Sequence, residues 1–546
     1  MDPLSTSKGA LPPTLPRYRI QPVKRQNLAM RYLAIIVLLI FLIVFTRGRV
    51  ASAADWEWDY IIVGTGPAGS MLSSRLSASG ARVLILEAGH PSTYATGGRS
   101  APTWLRNSGE KLSRFDVPGF FNAFTAHPDG HQCPDIPFPA GCILGGGSAV
   151  NSGIWFLPAK EDWEGMWEPS SMIDAIRRTR ERIPGTENPS RDGRQWFDES
   201  FEVFGGMLKG MGWREVKANK EEGKDRTFSR TNFMGDKGER GGPVERYMLE
   251  ALGRAHAGGN VEIRYGARVE RVLRKGGKVT GVEYLQSGER KTVGVGKKGK
   301  VVLSAGAFGT AKILWGSGVG TKDQLSIMKA ARGDRMITST EWIDLPVGYN
   351  LQDHPATYAV FRYPGITPAY NYSGAYETPP KVDADNYLLH RSGPLASSNA
   401  RISLWHKITG SDGISRTMQW AGRTSDAGNF TDTDLLLMTA YITHGQTSRG
   451  RIGLTPNLTH QIIVSPYLTS KEDISALTES FQTLLPRIAE IKGIEMLQPD
   501  LSKTSISDFV HNYNLPRGSN HWSGTAAMGK VVDNETRVKG LKNLVS

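Results

Sequence analysis

The stretch Asp59–Gly69 (DYIIVGTGPAG), with its continuation to Glu87, decides the fold. Tyr60 to Val63 is an apolar run without polar alternation, the pattern of a strand buried on both faces. Gly64, Gly66 and Gly69 follow in GxGxxG spacing. Met71, Leu72 and Leu76 then recur at helical spacing between Ser70 and Ser79, and Val83 to Leu86 is a second apolar run closed by Glu87. Strand, glycine turn, helix, strand and acid together read as a dinucleotide-binding unit. Gly64 permits the tight turn, Gly66 admits a pyrophosphate to the backbone, and Gly69 lets the helix pack on the strand. Thr65, Pro67 and Ala68 fill out the turn, where free N–H groups and the helix dipole favour an anion. Glu87, with Ala88 after it, would accept hydrogen bonds from ribose hydroxyls, which disfavours a 2′-phosphate and so NADP. The unit alone leaves FAD and NAD both open.

Around this unit lie 546 residues, enough for two large interleaved domains. Hydrophobic residues at 39% and charged residues at 22% exclude collagen, coiled coil and wholesale disorder. The net charge of +13 is concentrated: the first 53 residues hold eight basic side chains and one acid, +7 of the total. The remaining excess is thin, no basic stripe occurs, and nucleic acid is not an expected partner.

Tyr32 to Thr46 is an uncharged apolar run flanked by Arg31, Arg47 and Arg49 and followed by Ala51-Ser52-Ala53. It reads as a secretory signal with an over-extended start before Met30, or as an uncleaved membrane anchor. Either reading puts the rest of the chain outside the cytosol, secreted or anchored. N-x-[ST] triplets at Asn371, Asn429, Asn457 and Asn534 agree with that. The only cysteines, Cys133 and Cys142, suit one local disulfide or two buried thiols, and no zinc site or other metal centre is expected.

Four further blocks follow in order: GCILGGGSAVN (Gly141–Asn151), VVLSAGAFGTAKILWGSGVG (Val301–Gly320), LPVGYNLQDHP (Leu345–Pro355) and SNHWSGTAAMG (Ser519–Gly529). With the first unit they resemble the glucose-methanol-choline (GMC) family of FAD-dependent oxidoreductases over residues 58–546. Cys133 and Cys142, LSAGAFGT, SRGRIG (Ser448–Gly453) and SNHW are most similar to the flavodehydrogenase part of cellobiose dehydrogenases. Two departures stand out. Ala311 replaces a usual Pro or Ser, and Lys160 stands where the cellobiose likeness leads one to expect an acid. The nucleotide unit begins directly after the leader, so the resemblance implies electron exit by a route other than a preceding haem domain.

The resemblance implies FAD as cofactor, with Gly145, Gly146, Ser148, Asn151, the backbone of Val269 and Trp522 joining the first unit around it. It implies His521 as the base that takes a hydroxyl proton while hydride passes to the flavin. Bottom-up, an imidazole suits that role because its pKa lies near working pH. Asn520 would hold the donor hydroxyl, Arg423 would contact a sugar, and Trp163 could stack on one. The donor would be a cellobiose-like oligosaccharide or another alcohol, and the acceptor is open, with a dehydrogenase expected before an oxidase.

The expected architecture is mixed α/β: a Rossmann-like FAD-binding domain (55–154, 260–329, 515–546) interleaved with an antiparallel-sheet substrate domain (155–259, 330–514). Val261–Tyr284 reads as a hairpin turning at Gly276-Gly277, and Lys217–Arg230 and Lys291–Lys300 as solvated loops. By resemblance the final segment, VVDNETRVKGLKNLVS, would lead into a last strand, a second active-site His or Asn and a helix. Their absence implies an open sheet edge, and a competing expectation of a fragment that at most binds FAD weakly.

Overall fold

Tyr60 to Val63 is covered by a packed core on each face of its sheet, which is why the run carries no polar alternation. The structure, a computed structural model, describes residues 58–546 apart from 221–222, 425–429, 431–432 and 516. The leader and Asn429 lie outside the described residues. In chain order the strands that build the site begin with β1 (Trp58–Val63), β2 (Val83–Leu86), β3 (Arg214–Glu215), β4 (Thr227–Arg230), β5 (Val261–Arg264), β6 (Arg268–Lys275), β7 (Lys278–Gln286) and β8 (Glu289–Leu303). They continue with β9 (Thr357–Arg362), β10 (Ile402–Thr409), β11 (Ser415–Thr424), β12 (Leu435–His444), β13 (Glu495–Gln498) and β14 (Leu544–Val545). The helices used below are α1 (Pro67–Ala78), α2 (Glu199–Gly210), α3 (Gly306–Gly316) and α4 (Lys471–Ala489). No helix among the described residues is long and apolar enough to cross a membrane.

The first sheet has the order β5–β2–β1–β8–β7–β6, with β14 also on β8. Its β5, β2, β1 and β8 are mutually parallel, whereas β8, β7 and β6 form an antiparallel meander. Alternate residues of β1 serve two cores. Ile61 and Val63 pack with Leu84, Leu86, Leu303 and the α3 residues Phe308 and Trp315. Ile62 packs with Val83, Ile85, Val302 and Leu252 on the other face.

Several segments differ from the sequence expectation here. Val261–Arg264 is not part of the hairpin but a parallel neighbour of β2; the hairpin is β6–β7, with Lys275 opposite Lys278 across Gly276-Gly277. Lys291–Lys300 is no loop. It lies within β8, whose first half pairs with β7 and whose end pairs with β1, while Lys297, Lys298 and Lys300 point to solvent. Thr227–Arg230, expected in a solvated loop, is β4, paired with β10 and buried at Thr227, Phe228 and Ser229. At the end of β8, Val301 and Val302 are also paired by Leu544 and Val545.

The second sheet has the order β13–β9–β12–β11–β10–β4–β3 and is antiparallel except at β3–β4. Period-two alternation divides its faces. Phe228, Leu404, Trp420, Leu436, Met438 and Phe361 turn toward α2 and α4, meeting Phe204, Leu208, Phe481 and Leu484 in one core. The opposite face, in register across the sheet, carries Ser403, Ala421, Thr439 and Tyr358 in one row and Trp405, Gln419 and Tyr441 in the next. That face is polar and aromatic although most of it is buried, and aromatic side chains with a few placed polar groups are the usual lining of a ligand site.

Candidate active site

Three glycine-bearing segments converge by backbone. A Cβ on Gly69 would lie 2.0 Å from the Gly64 carbonyl oxygen, and one on Gly64, at φ +88°, would lie 2.7 Å from that of Ser304. A Cβ on Gly89 would lie 2.1 Å from the Cys142 carbonyl oxygen, and one on Gly146 would lie 3.3 Å from the Gly66 Cα. Gly66 itself is different, because a Cβ there would meet nothing closer than Ser304 O at 3.9 Å. Pro67 and Ala68, opening α1, are exposed beside it. Protein packing therefore does not demand a glycine at 66, but close approach of an outside group does, and an open helix start suits a pyrophosphate.

Thr65 ties these segments together. Its N–H and hydroxyl donate to Glu87 Oε2 at 2.9 and 2.5 Å, and its Oγ1 accepts from the Gly145 N–H at 3.1 Å. Gly89 N–H donates to Glu87 Oε1 at 2.7 Å. A carboxylate offers about four acceptor sites, so one remains on Glu87 for a ribose hydroxyl. Burial raises the Glu87 pKa above its ordinary value despite these donors. Ala88 is half-buried next to it, and the Ala267 N–H donating to the Glu87 carbonyl at 2.8 Å brings Val269 to the same end of the sheet.

In the second glycine loop Ser148 Oγ donates back to Gly145 O at 2.8 Å. Asn151 Oδ1 accepts from Gly153 N–H and from Arg240 Nη1, both at 3.0 Å, and Arg240 Nη2 reaches the Asn151 carbonyl at 2.7 Å. Arg240, which the sequence did not single out, is buried, and burial lowers its pKa to about 10. Cys133 and Cys142 are disulfide-bonded, with Cα atoms 4.9 Å apart, and anchor the strand of chain that enters this loop. The open space at Gly66, the remaining acceptor on Glu87 and the convergent backbone fit FAD.

The loop that carries His521 is held by residues the sequence left without roles. Gln352 and Ser523 exchange backbone hydrogen bonds at 2.9 and 3.0 Å, pairing this loop with the segment after Gly348. Asn520 adopts φ +60°, a left-handed turn that asparagine tolerates better than most side chains. The turn aims the His521 N–H at Asp353 Oδ1, 2.8 Å away. Asp353 is buried and also accepts from His354 N–H (2.9 Å), Ser519 Oγ (2.6 Å), Ser519 N–H (3.1 Å) and Tyr467 OH (2.6 Å). One carboxylate thus fixes five donors from three segments. LQDHP was visible as a block, but nothing local marks its Asp as a hub.

The His521 ring is solvent-accessible, and the surrounding protein still lowers its pKa through desolvation. Its Nδ1 faces His354 Nδ1 at 3.1 Å, and its ring centroid lies 6.4 Å from that of Tyr441 on the polar sheet face. Arg423, from the same sheet, bonds Thr439 Oγ1 at 3.2 Å and influences Tyr441 electrostatically. Trp522 packs on Phe138 and Phe308, at centroid distances of 5.1 and 5.5 Å, and so meets α3, whose start adjoins Gly64. Trp522 Nε1 also donates to Asn520 Oδ1 at 3.2 Å. The nucleotide cradle and the histidine loop are therefore neighbours. Trp163 is 5% exposed, which favours the core reading over the sugar-stacking one. Lys160 pairs with Glu164 at the surface.

A dinucleotide cradle beside an imidazole and a polar sheet face is the layout of a dinucleotide-dependent oxidoreductase. Residues 58–356 and 446–546 match the two halves described as GMC oxidoreductase, and the chain belongs to this FAD-dependent enzyme family. It is 27% identical to an alcohol dehydrogenase (acceptor) of Pseudomonas putida over 89% of this chain and 90% of that protein. It is 30% identical to an oxygen-dependent choline dehydrogenase of Vibrio vulnificus over 56% of this chain, about half the length of that relative. Among solved structures, an FAD-dependent oxidoreductase from Chaetomium thermophilum superposes with TM-score 0.66 at 18% identity, covering 89% of this chain and 94% of the other. Pyridoxine 4-oxidase from Mesorbium loti gives 0.61 at 20% identity, over 89% and 93%. These two likenesses speak for the fold.

Proposed function

We propose that the protein oxidises the CH–OH group of a small alcohol or sugar, with His521 accepting the hydroxyl proton. The observation that carries this reading is His521 itself: an accessible, low-pKa imidazole held by Asp353 between the glycine cradle and the polar sheet face. Bound FAD supplies the hydride acceptor. Thr65, Glu87 and the loops at Gly64–Gly69 and Gly145–Asn151 hold the cofactor, and the first sheet is the FAD-binding domain. The second sheet is the substrate domain, where Asn520 orients the donor hydroxyl and Arg423, Thr439 and Tyr441 line the donor's path.

The donor of first choice is a cellobiose-like oligosaccharide, supported by the SNHW and SRGRIG blocks and by the hydroxyl-rich sheet face. Lys160 and the burial of Trp163 argue for a smaller alcohol as the next candidate. Dehydrogenase rather than oxidase chemistry is supported by the name of the Pseudomonas putida relative, an alcohol dehydrogenase (acceptor). A place outside the cytosol is supported by the Cys133–Cys142 disulfide and by exposed N-x-[ST] asparagines at Asn371, Asn457 and Asn534.

The test is an absorbance spectrum of the FAD-loaded full chain without oxygen, before and after cellobiose, benzyl alcohol or choline. Bleaching of the flavin bands identifies the donor. Retained oxidised flavin with all three probes, or a His521→Ala variant that bleaches as fast as the parent, contradicts the reading.

A further inference from the structure

The contact between His354 and His521 bears on which nitrogen of His521 is free. Two neutral imidazoles with Nδ1 atoms 3.1 Å apart share one proton between them. Two bare nitrogens would repel, and two N–H groups would collide. Either His521 donates from Nδ1, leaving Nε2 bare, or His354 donates and His521 carries its proton on Nε2. Only the first arrangement leaves His521 able to accept a proton at Nε2, the nitrogen at the far side of the ring from His354.

We propose that His354 is a positioning residue that keeps His521 in the Nδ1–H tautomer, so that Nε2 stands free to take the donor's hydroxyl proton. The inference rests on the reading of His521 as base. A solvent-accessible imidazole left to itself prefers Nε2–H, and the tautomer in a protein is set by the partner of the other nitrogen. His521 is accessible, so without an acceptor at Nδ1 it would rest mostly in the unproductive form.

His354 is built for the acceptor role. Its N–H is fixed to Asp353 Oδ1 at 2.9 Å, and its carbonyl lies 2.9 Å from Ser519 Oγ, whose one proton it shares with Asp353 Oδ1, so main-chain contacts on both sides hold the ring in place. Burial, with His521 beside it, pushes its pKa down to about 4, which keeps it neutral. As the donor's O–H proton arrives on His521 Nε2, the ring becomes a cation whose Nδ1–H donates to a neutral nitrogen, a bond that strengthens with the charge. The proton is thus held on His521 and the count balances: one leaves the hydroxyl and one arrives at Nε2, with the Nδ1 proton unmoved.

The direct test is nitrogen NMR of the FAD-loaded full chain labelled with 15N-histidine, with the His521 signals assigned by their loss in His521→Ala. In the parent protein His521 is expected to show a protonated Nδ1 and a bare Nε2. His354→Leu removes the acceptor and should shift His521 to Nε2–H. His354→Asn offers Oδ1 at nearly the place of Nδ1 and should retain the parent tautomer. Anaerobic flavin reduction by whichever of cellobiose, benzyl alcohol and choline bleaches the parent should slow about 10- to 100-fold in His354→Leu, up to the lower end of general-base effects because His521 itself stays in place. KM should change little, and His354→Asn should recover to within a few-fold of the parent. Thermal melts and flavin content confirm that each variant folds. A parent His521 with Nε2–H, or an unchanged tautomer and rate in His354→Leu, overturns the proposal. If His521→Ala is slow while His354→Leu is not, only the role of His354 falls; if His521→Ala is as fast as the parent, the base reading falls with it.

Discussion

The two sheets reach the same site by different means. The first offers a cradle made of backbone: Gly64, Gly69, Gly89 and Gly146 are each placed where another segment passes too close for a side chain, or nearly so. The second offers side chains on one face of an alternating sheet, and the loop between them hangs on the single carboxylate of Asp353. A site made of backbone tolerates no added atom, whereas a site made of side chains depends on which groups are paired. The difference can be broken or sharpened by changing one atom group at a time.

The largest effect belongs to Gly69→Ala. The new methyl would sit 2.0 Å from the Gly64 oxygen and 3.0 Å from its carbonyl carbon, with the Ser304 Oγ at 2.8 Å, and the Gly64 backbone cannot yield. The variant is expected to be insoluble or free of flavin, as measured by the ratio of flavin to protein absorbance. Normal flavin content would show that the cradle is looser than a backbone site.

Asp353→Asn comes next. An amide keeps one acceptor oxygen but turns an NH₂ toward donors that the carboxylate now receives, from Ser519 N–H and Tyr467 OH or from the His354 and His521 amides. Each buried donor left without a partner costs about 1–3 kcal/mol. The expected result is a lower melting temperature together with flavin reduction slowed roughly 10²-fold or more, since the base loses its place. FAD affinity should hold, because Asp353 touches none of the cradle. Loss of FAD with normal reduction in the remaining holoenzyme would reverse the assignment of the two regions.

This contrast also explains what the sequence showed. The unit from Tyr60 to Glu87 was legible because strand, turn, helix and acid are contiguous, and each glycine advertises a backbone constraint. β5 was not legible as the partner of β2, because Val261 and Val83 are far apart in the chain and a short apolar run carries no label for its neighbour. The lysines of β8 looked like a loop because charge was read without the pairing that turns them outward. Asp353 escaped because its partners at Tyr467, Ser519 and His521 lie more than a hundred positions away. Trp163 was read both ways, and only burial decides a tryptophan.

Gly66→Ala separates cradle from ligand. Gly66 has φ −55°, open to any residue, and an added methyl would meet only Ser304 O at 3.9 Å. The apoprotein should therefore melt as the parent does. FAD, whose pyrophosphate needs that space, should bind about tenfold or more weakly, a loss of about 1.4 kcal/mol. Titration of apoprotein with FAD reads this directly, and unchanged affinity would mean that the pyrophosphate lies elsewhere.

The smallest effect tests whether a side chain also matters behind the cradle. Burial lifts Glu245 to about 7 from its ordinary 4.5, with Arg240 opposing and Asp116 reinforcing the shift. A carboxyl whose pKa is higher folded than unfolded holds its proton better in the fold. Its contribution is therefore fully present below the unfolded value and is lost as the pH rises through about 7. Arg240 links this group to the Asn151 loop, so the loss is felt at the cradle rather than at His521. Melting temperatures of the holoenzyme between about pH 5 and 8 should fall more steeply in the parent than in Glu245→Gln, which cannot ionise. Parallel curves would show that Glu245 is already ionised and paired in the fold, and that the buried Arg240 alone, without a titrating neighbour, steadies the loop.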